Sequence, residues 1–186
     1  MTLTLPTILT LFRIILIPVF VIVFYLPVPW NFVAAAWIYV IGSVTDWFDG
    51  YLARALGQES AFGAFLDPVA DKLMVVVAIV LLVEVNPYAW MAIPAMVIIS
   101  REITVSALRE WMAELGSRTT VKVSFIGKAK TTAQMVSLIL LIYNQPLFGL
   151  PTFQIGLALF YLAALLTLYS MMIYLRAAWP VMRENG

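Results

Sequence analysis

The sequence predicts an all-α integral membrane protein with six transmembrane helices around a polar cavity that faces the cytoplasm. Three observations support this prediction: the composition, six long apolar stretches, and the one-sided placement of the basic residues. Hydrophobic residues make up 63% of the 186 residues and charged residues only 11%, whereas a soluble domain carries about 25% charged residues. There is too little polar material to cover a water-facing globule, so most of the chain is expected to lie in a membrane.

Each of the six apolar stretches is long enough for a spanning helix, which needs about 20 residues. Short segments that contain Pro, Gly or Asn separate them and favour turns. The predicted helices cover residues 5–26, 30–56, 65–85, 88–115, 127–143 and 153–174. Because no internal repeat or low-complexity segment stands out, we expect residues 1–186 to form a single domain.

The basic residues indicate how the helices are oriented. If both termini are cytoplasmic, the outer connections at 26–30, 84–88 and 144–152 contain no Lys or Arg. All eleven basic residues then lie at cytoplasmic ends or loops, as the positive-inside rule requires. They are Arg13, Arg54, Lys72, Arg101, Arg109, Arg118, Lys122, Lys128, Lys130, Arg176 and Arg183.

The absence of two residue types limits which catalytic groups and metal ligands the protein can use. The chain has no Cys and no His, which excludes disulfides, thiolate nucleophiles, Cys-ligated zinc and a histidine base. Any bound metal would therefore rely on oxygen ligands, which suit Mg, Mn or Ca.

Four aspartates occur at helical spacing near the predicted cytoplasmic side. Asp46 and Asp49 are three residues apart, and Asp67 and Asp71 are four apart, so each pair shares a helix face. Four carboxylates in a low-dielectric site would repel one another, and two divalent cations would relieve that repulsion and suit phosphoryl chemistry. A lone Asp67 could instead be a helix cap, but ionisable groups within membrane segments favour a functional cluster.

The flanking residues predict where two helices meet the connection between them. Gly57 is expected to cap the end of the second helix. Asp67-Pro68 resembles the start of the third helix, because Pro is tolerated in a first turn.

A longer pattern contains these aspartates: Asp46-x2-Asp49-Gly50-x2-Ala53-Arg54-x8-Gly63-x3-Asp67-x3-Asp71. It resembles the signature of the CDP-alcohol phosphatidyltransferases. The resemblance implies that the four aspartates bind two Mg or Mn ions and that Asp71 also acts as the base for the attacking hydroxyl. It further implies that the CDP site is lined by Gly50, Ala53, Arg54 and Gly63.

A second set of charges suggests a site for the acceptor. Arg101 and Arg109 lie eight residues apart, near one helix face, and Lys128 and Lys130 open the next helix. Together they could form a cationic pocket that suits a phosphorylated acceptor better than a neutral alcohol or serine. Alternatively, Arg109 pairs with Glu102 or Glu110, and Lys130 faces a different side from Lys128.

The segments 5–13, 100–116 and 127–135 resemble those bacterial members of the family that make phosphatidylglycerophosphate. This resemblance implies transfer of a phosphatidyl group from CDP-diacylglycerol to glycerol 3-phosphate. It also implies a homodimer in the bacterial inner membrane, in contact with membrane lipids, with the active site and both termini cytoplasmic. Nucleic acid is not an expected partner.

Other functions stay open at this point. The acceptor could be inositol phosphate, phosphatidylglycerol or serine. Intramembrane carboxylates also occur in ion-coupled transporters, although the inverted repeats with paired broken helices of many transporters are not visible here. A structural scaffold would have no need of four clustered aspartates.

Overall fold

The computed structural model describes residues 5–56, 61–114 and 125–185, and nearly all of them lie in α-helices. The described residues form six helices, in agreement with the predicted fold class. These are α1 (Leu5–Phe24), α2 (Asn31–Leu56), α3 (Ala61–Val85), α4 (Ala89–Glu114), α5 (Phe125–Tyr143) and α6 (Thr152–Asn185).

The start of the third helix was predicted wrongly. Helix α3 begins at Ala61, so Asp67 and Pro68 lie inside the helix rather than at its first turn. A proline removes one backbone hydrogen bond, but membrane helices tolerate this because neighbouring groups satisfy the freed carbonyl. The consequence is that Gly63, Asp67 and Asp71 all lie on one continuous helix at intervals of four residues. Gly57, the predicted cap of α2, lies outside the described residues.

The end of the last helix also differs from the prediction. Helix α6 continues to Asn185, beyond the predicted end at residue 174. The apolar composition that was used to place this end indicates where a membrane span stops, whereas a helix can continue into the polar interface. Arg176 and Arg183 therefore lie on a helical extension of the apolar segment.

One apolar core joins all the described helices. Aromatic side chains fill the space between α1 and α2, where the ring centroids of Phe20 and Tyr39 are 6.2 Å apart. Buried alanines such as Ala78 on α3 and Ala163 on α6 allow close helix packing. The core fixes how the helices sit relative to one another, and this in turn positions the polar side chains described below.

Helices α5 and α6 approach each other especially closely. A β-carbon built at Gly156 would lie 3.0 Å from the Leu140 β-carbon and 3.1 Å from the Leu141 backbone nitrogen. Beside this contact, the buried Ser137 hydroxyl donates a hydrogen bond of 2.8 Å to the Gly156 carbonyl. The glycine at this position therefore allows the two helices to pack with their backbones in near contact.

The outer surface is apolar, as expected for a protein surrounded by lipid. Large hydrophobic side chains such as Ile15, Trp37 and Leu165 are more than half exposed. Among the described residues, α1, α4 and α6 contain segments that are long and apolar enough to cross a membrane: Thr7–Phe24, Ala89–Met112 and Thr152–Arg176. These features agree with a membrane protein, while the spanning role of the other helices and the direction of the cavity stay predictions.

Candidate active site

The inner face of α1 carries polar residues at one end and aromatic residues at the other. Thr7, Thr10 and Arg13 are buried at intervals of three residues, followed further along the helix by Phe20 and Phe24. This spacing places all five near one side of the helix. The helix therefore turns its polar half towards α2 and α3, which are the helices that carry the aspartates.

Arg13 joins two of the predicted metal ligands. Its Nη1 donates to Oδ1 of Asp46 on α2, and its Nη2 donates to Oδ1 of Asp67 on α3. The Arg13 side chain is only 3% exposed, whereas those of Asp46 and Asp67 are 33% and 43% exposed. Two carboxylates from different helices thus share one buried cation, and both side chains remain partly exposed.

Asp71 belongs to the same cluster. It lies one helical turn after Asp67 on α3, is exposed at the surface of the cluster, and interacts electrostatically with Asp46, Asp67 and Arg13. The structure therefore brings together three of the four predicted metal ligands. Their roles as ligands, and the role of Asp71 as a base, stay predictions.

The remaining residues of the motif lie on the same two helices. Gly63 is half-buried on α3, one turn before Asp67. Asp49, Gly50, Ala53 and Arg54 follow Asp46 on α2 at intervals of three, four, seven and eight residues, which keeps them near one helix face. The side chains of these four residues lie outside the described part of the chain.

The donor set fits a hard divalent cation. Asp46 and Asp67 offer carboxylate oxygens to one shared space, and oxygen ligands of this kind suit Mg or Mn. Among the described side chains, no group of three acidic, His or Cys residues is close enough to enclose a metal ion. Mg held by one or two carboxylates usually keeps water or substrate phosphate among its other ligands.

A second polar cluster joins α4, α5 and α6. Oε1 of Glu102 accepts hydrogen bonds from Nη1 of Arg101 at 2.8 Å and from Nζ of Lys130 at 2.7 Å. Arg101 also donates through Nη2 to the Ser170 hydroxyl on α6 at 2.9 Å. Two of the predicted acceptor-binding cations, Arg101 and Lys130, are thus held together by one carboxylate.

Arg109 lies further along α4 and contacts α6. Its Nη2 donates a hydrogen bond of 2.7 Å to the Tyr174 hydroxyl, and its Cζ lies 4.9 Å from the centre of that ring. The alternative pairing of Arg109 with Glu102 is wrong, because Glu102 binds Arg101 and Lys130 instead. Lys128 lies on α5, and its side chain is outside the described part of the chain.

The two clusters are linked across α3 and α4. Nζ of Lys72, the residue after Asp71, donates to the Ser106 hydroxyl. Ser106 in turn donates to the Glu102 carbonyl, one turn earlier on α4, at 2.7 Å. Asp71 also interacts electrostatically with Glu102. The aspartates and the basic residues therefore border one continuous polar region.

Sequence reasoning missed the parts played by Arg13 and Glu102. The basic-residue pattern predicts only a cytoplasmic position for Arg13, although this residue follows Thr7 and Thr10 at helical spacing within an apolar stretch. That spacing was the available signal for a buried polar contact. For Glu102 the sequence suggests only a pairing with Arg109, because Lys130 is 28 positions away and their contact leaves no sequence signal.

Comparisons with known proteins agree with this arrangement. Residues 3–176 match the family model for CDP-alcohol phosphatidyltransferase. Relatives from Shigella flexneri serotype 5b (strain 8401), Shigella boydii serotype 4 (strain Sb227) and Escherichia coli (strain K12) are each 57% identical over 178 residues, which cover 96% of this chain and 96% of the relative. All three are named CDP-diacylglycerol–glycerol-3-phosphate 3-phosphatidyltransferase. The aspartate motif, the helical membrane fold and a match over almost the whole length show that this chain belongs to the CDP-alcohol phosphatidyltransferase family.

Proposed function

We propose that this protein transfers the phosphatidyl group of CDP-diacylglycerol to sn-glycerol 3-phosphate, which yields phosphatidylglycerophosphate and CMP. The observation that carries the proposal is the 57% identity, over 96% of both chains, to relatives named for this reaction. The acidic and basic clusters supply a physical reason for it. One suits a metal-bound pyrophosphate, and the other suits a phosphorylated acceptor.

The acidic cluster is the proposed pyrophosphate end of the site. Asp46, Asp49, Asp67 and Asp71 hold two divalent cations, Mg or Mn. When bound, such ions would supply positive charge that offsets the negative charge of the pyrophosphate. Arg13 supports this end because its buried guanidinium pairs with the Asp46 and Asp67 carboxylates and keeps them together.

The CDP group is proposed to lie along the adjacent faces of α2 and α3. Gly50 and Gly63 have no side chain and so leave room for the nucleotide to approach the helix surface. Ala53 is nearly as small and extends this surface. Arg54 stabilises charge on the phosphates through charge-assisted hydrogen bonds.

The reaction replaces one phosphorus–oxygen bond by another. The reacting hydroxyl oxygen of glycerol 3-phosphate attacks the lipid-side phosphorus of CDP-diacylglycerol. The bond from that phosphorus to the bridging pyrophosphate oxygen breaks, and CMP leaves with the electron pair. Asp71 accepts the hydroxyl proton, since this exposed residue lies one helical turn from Asp67 at the proposed pyrophosphate end.

The basic cluster is the proposed binding site for the acceptor phosphate, with Arg101, Arg109, Lys128 and Lys130 as its ligands. Arg101 and Lys130 share the single carboxylate of Glu102, and Arg109 contacts an uncharged tyrosine. The described side chains therefore leave an excess of positive charge. A phosphate group balances that excess, whereas a neutral alcohol or a zwitterion such as serine does not.

The protein is a membrane enzyme, and we propose a location in the bacterial inner membrane with both termini and the active site in the cytoplasm. The described connections at 25–30, 86–88 and 144–151 carry no Lys or Arg, which supports this orientation. A homodimer is proposed from the resemblance to the family.

Measurement of CMP release with a panel of acceptors tests the reaction. Purified protein in detergent micelles receives CDP-diacylglycerol, Mg or Mn, and one of glycerol 3-phosphate, inositol phosphate, phosphatidylglycerol, serine or glycerol. We expect glycerol 3-phosphate to give the fastest release. Faster release with another acceptor would overturn the choice of acceptor, and no release with any of them would overturn the phosphatidyltransferase proposal.

A further inference from the structure

Glu102 occupies a distinctive position between the two clusters. On one side its carboxylate contacts Arg101 and Lys130, the cations proposed to bind the acceptor phosphate. On the other side, the Ser106 hydroxyl donates to the Glu102 backbone carbonyl and accepts a hydrogen bond from Lys72 on α3, the residue after Asp71. The Glu102 carboxylate therefore contacts the proposed phosphate-binding cations and also interacts electrostatically with Asp71, at the proposed reacting end of the acceptor site.

The two oxygens of this carboxylate are used unequally. Both described hydrogen bonds, from Arg101 and from Lys130, end on Oε1. Within the described part of the chain, Oε2 accepts no hydrogen bond. It is also not among the buried polar atoms without a partner, and the side chain is 21% exposed. Oε2 is therefore an acceptor atom that a bound ligand can reach.

The groups of glycerol 3-phosphate follow the same order as the basic cluster, Glu102 and Asp71. Its phosphate is at one end, its reacting hydroxyl is at the other end, and a second hydroxyl lies on the carbon between them. If the phosphate binds Arg101 and Lys130 and the reacting hydroxyl approaches Asp71, the middle hydroxyl comes near Glu102. A carboxylate can accept a hydrogen bond from a hydroxyl but cannot donate one when ionised.

We propose that Glu102 is a specificity-determining residue whose Oε2 accepts a hydrogen bond from the middle hydroxyl of the acceptor. Through Oε1 it holds Arg101 and Lys130 in place for the phosphate. A site built in this way rejects an acceptor that has the same two ends but lacks the hydroxyl between them, because the carboxylate is then left without its partner. This inference rests on the proposed function and adds the feature of the acceptor that the site recognises.

The test compares two acceptors, glycerol 3-phosphate and 3-hydroxypropyl phosphate, which differ only in the middle hydroxyl. The measured quantity is the ratio of their kcat/KM values, determined at a fixed concentration of CDP-diacylglycerol. For the wild-type protein we expect a preference for glycerol 3-phosphate of roughly ten- to hundred-fold, as for one charge-assisted hydrogen bond. A ratio near one in the wild-type protein would overturn the proposal without the need for any variant.

Two variants locate the origin of the preference. Glu102→Gln keeps the shape of the side chain and removes its charge, so we expect the ratio to fall to within a few-fold of one. The matched control is Glu110→Gln, which removes a carboxylate from an exposed position two turns further along α4 and should leave the ratio unchanged. If Glu102→Gln slows both acceptors equally, Glu102 is only structural and the proposal is wrong.

The same experiment separates this inference from the proposed function. If the wild-type protein releases no CMP with glycerol 3-phosphate but does so with serine or another alcohol, the acceptor itself is wrong and the inference falls with it. If glycerol 3-phosphate is the best acceptor but 3-hydroxypropyl phosphate serves equally well, the proposed function stands and only the role of Glu102 is overturned.

Discussion

Arg13 on α1 forms an ion pair with Asp67 on α3, across 54 positions of sequence. The same guanidinium pairs with Asp46 on α2, so one buried cation determines how close two helices bring their carboxylates. A planar guanidinium suits this task because its fixed N–H groups can serve two carboxylates at once. The acidic end of the site is thus organised by a residue outside the aspartate motif.

Replacement of Arg13 should weaken the fold in the absence of metal ions. Arg13→Gln leaves Asp46 and Asp67 without their shared cation, at a cost of about 1.5–3 kcal/mol. We therefore expect the Tm in detergent with EDTA to fall by about 3–12 °C for a chain of this size. Arg183→Gln, at the exposed end of α6, is the control and should leave the Tm unchanged. An equal Tm for wild type and Arg13→Gln would show that the bridge contributes nothing to stability.

Replacement of Asp67 should abolish activity without unfolding the protein. Asp67→Asn keeps the size of the side chain but removes one charge from the proposed metal cluster, so near-complete loss of CMP release is expected. EDTA should have the same effect on the wild-type protein, and added Mg or Mn should restore turnover. The control is Glu84→Gln near the other end of α3, where the carboxylate accepts a hydrogen bond of 3.2 Å from Tyr25. Activity of Asp67→Asn within a few-fold of wild type would contradict the metal assignment.

Asp71 should matter more for chemistry than for binding. General base catalysis contributes typically about 10²–10⁴-fold to a rate, so Asp71→Asn should lower kcat by that order. The Kd for CDP-diacylglycerol should change much less, because the other three aspartates remain. Steady-state kinetics combined with a direct binding measurement would separate the two effects. Intact turnover with a greatly weakened Kd would mean that Asp71 is a metal ligand only.

Arg109 should affect one substrate selectively. Removal of its guanidinium in Arg109→Ala deprives the acceptor phosphate of a charge-assisted partner, which corresponds to a rise of about ten- to hundred-fold in the KM for glycerol 3-phosphate. The KM for CDP-diacylglycerol should change little, because its phosphates bind at the acidic cluster. Titration of each substrate in micelles measures both constants, with Arg183→Ala as the control. An equal rise in both constants would indicate that Arg109 mainly holds α6 through Tyr174.

The close contact between α5 and α6 should make the position of Gly156 intolerant of a side chain. Gly156→Ala places a methyl group 3.0–3.1 Å from Leu140 and from the Leu141 backbone, and overpacking of this kind costs about 1–3 kcal/mol. We expect a lower Tm for this variant. In the control, Gly42→Ala, the new methyl group meets only the flexible end of Met74 at 3.2 Å, so the Tm should change less. Equal effects of the two substitutions would contradict the close packing described here.

The sequence predicted the helical class and most helix boundaries because apolar composition directly determines both. It also predicted that Asp46, Asp67 and Asp71 come together, since helical spacing and the cost of buried charge restrict where they can lie. It placed the start of α3 wrongly because Pro68 was read as a first-turn residue, while the apolar residues before it continue the helix.

The pairing between helices could not be predicted in the same way. The partners of Glu102 are Arg101, its neighbour in sequence, and Lys130 on another helix. Only the packing of α4 and of α5 against α6 brings Lys130, rather than another cation, to Glu102. Arg109 likewise contacts Tyr174, 65 positions away. Contacts of this kind depend on helix rotation and translation, which a periodic pattern in one segment does not specify.

The appearance of labelled lipid measures the transfer of a phosphatidyl group to glycerol 3-phosphate without reference to any variant. Purified wild-type protein is incubated with CDP-diacylglycerol, Mg or Mn, and glycerol 3-phosphate that carries a radioactive carbon, and the solvent-extracted lipid is counted and identified. We expect labelled phosphatidylglycerophosphate in an amount equal to the CMP released, and none with Asp67→Asn. CMP release without label in the lipid, or labelled lipid that forms equally well with Asp67→Asn, would contradict this expectation.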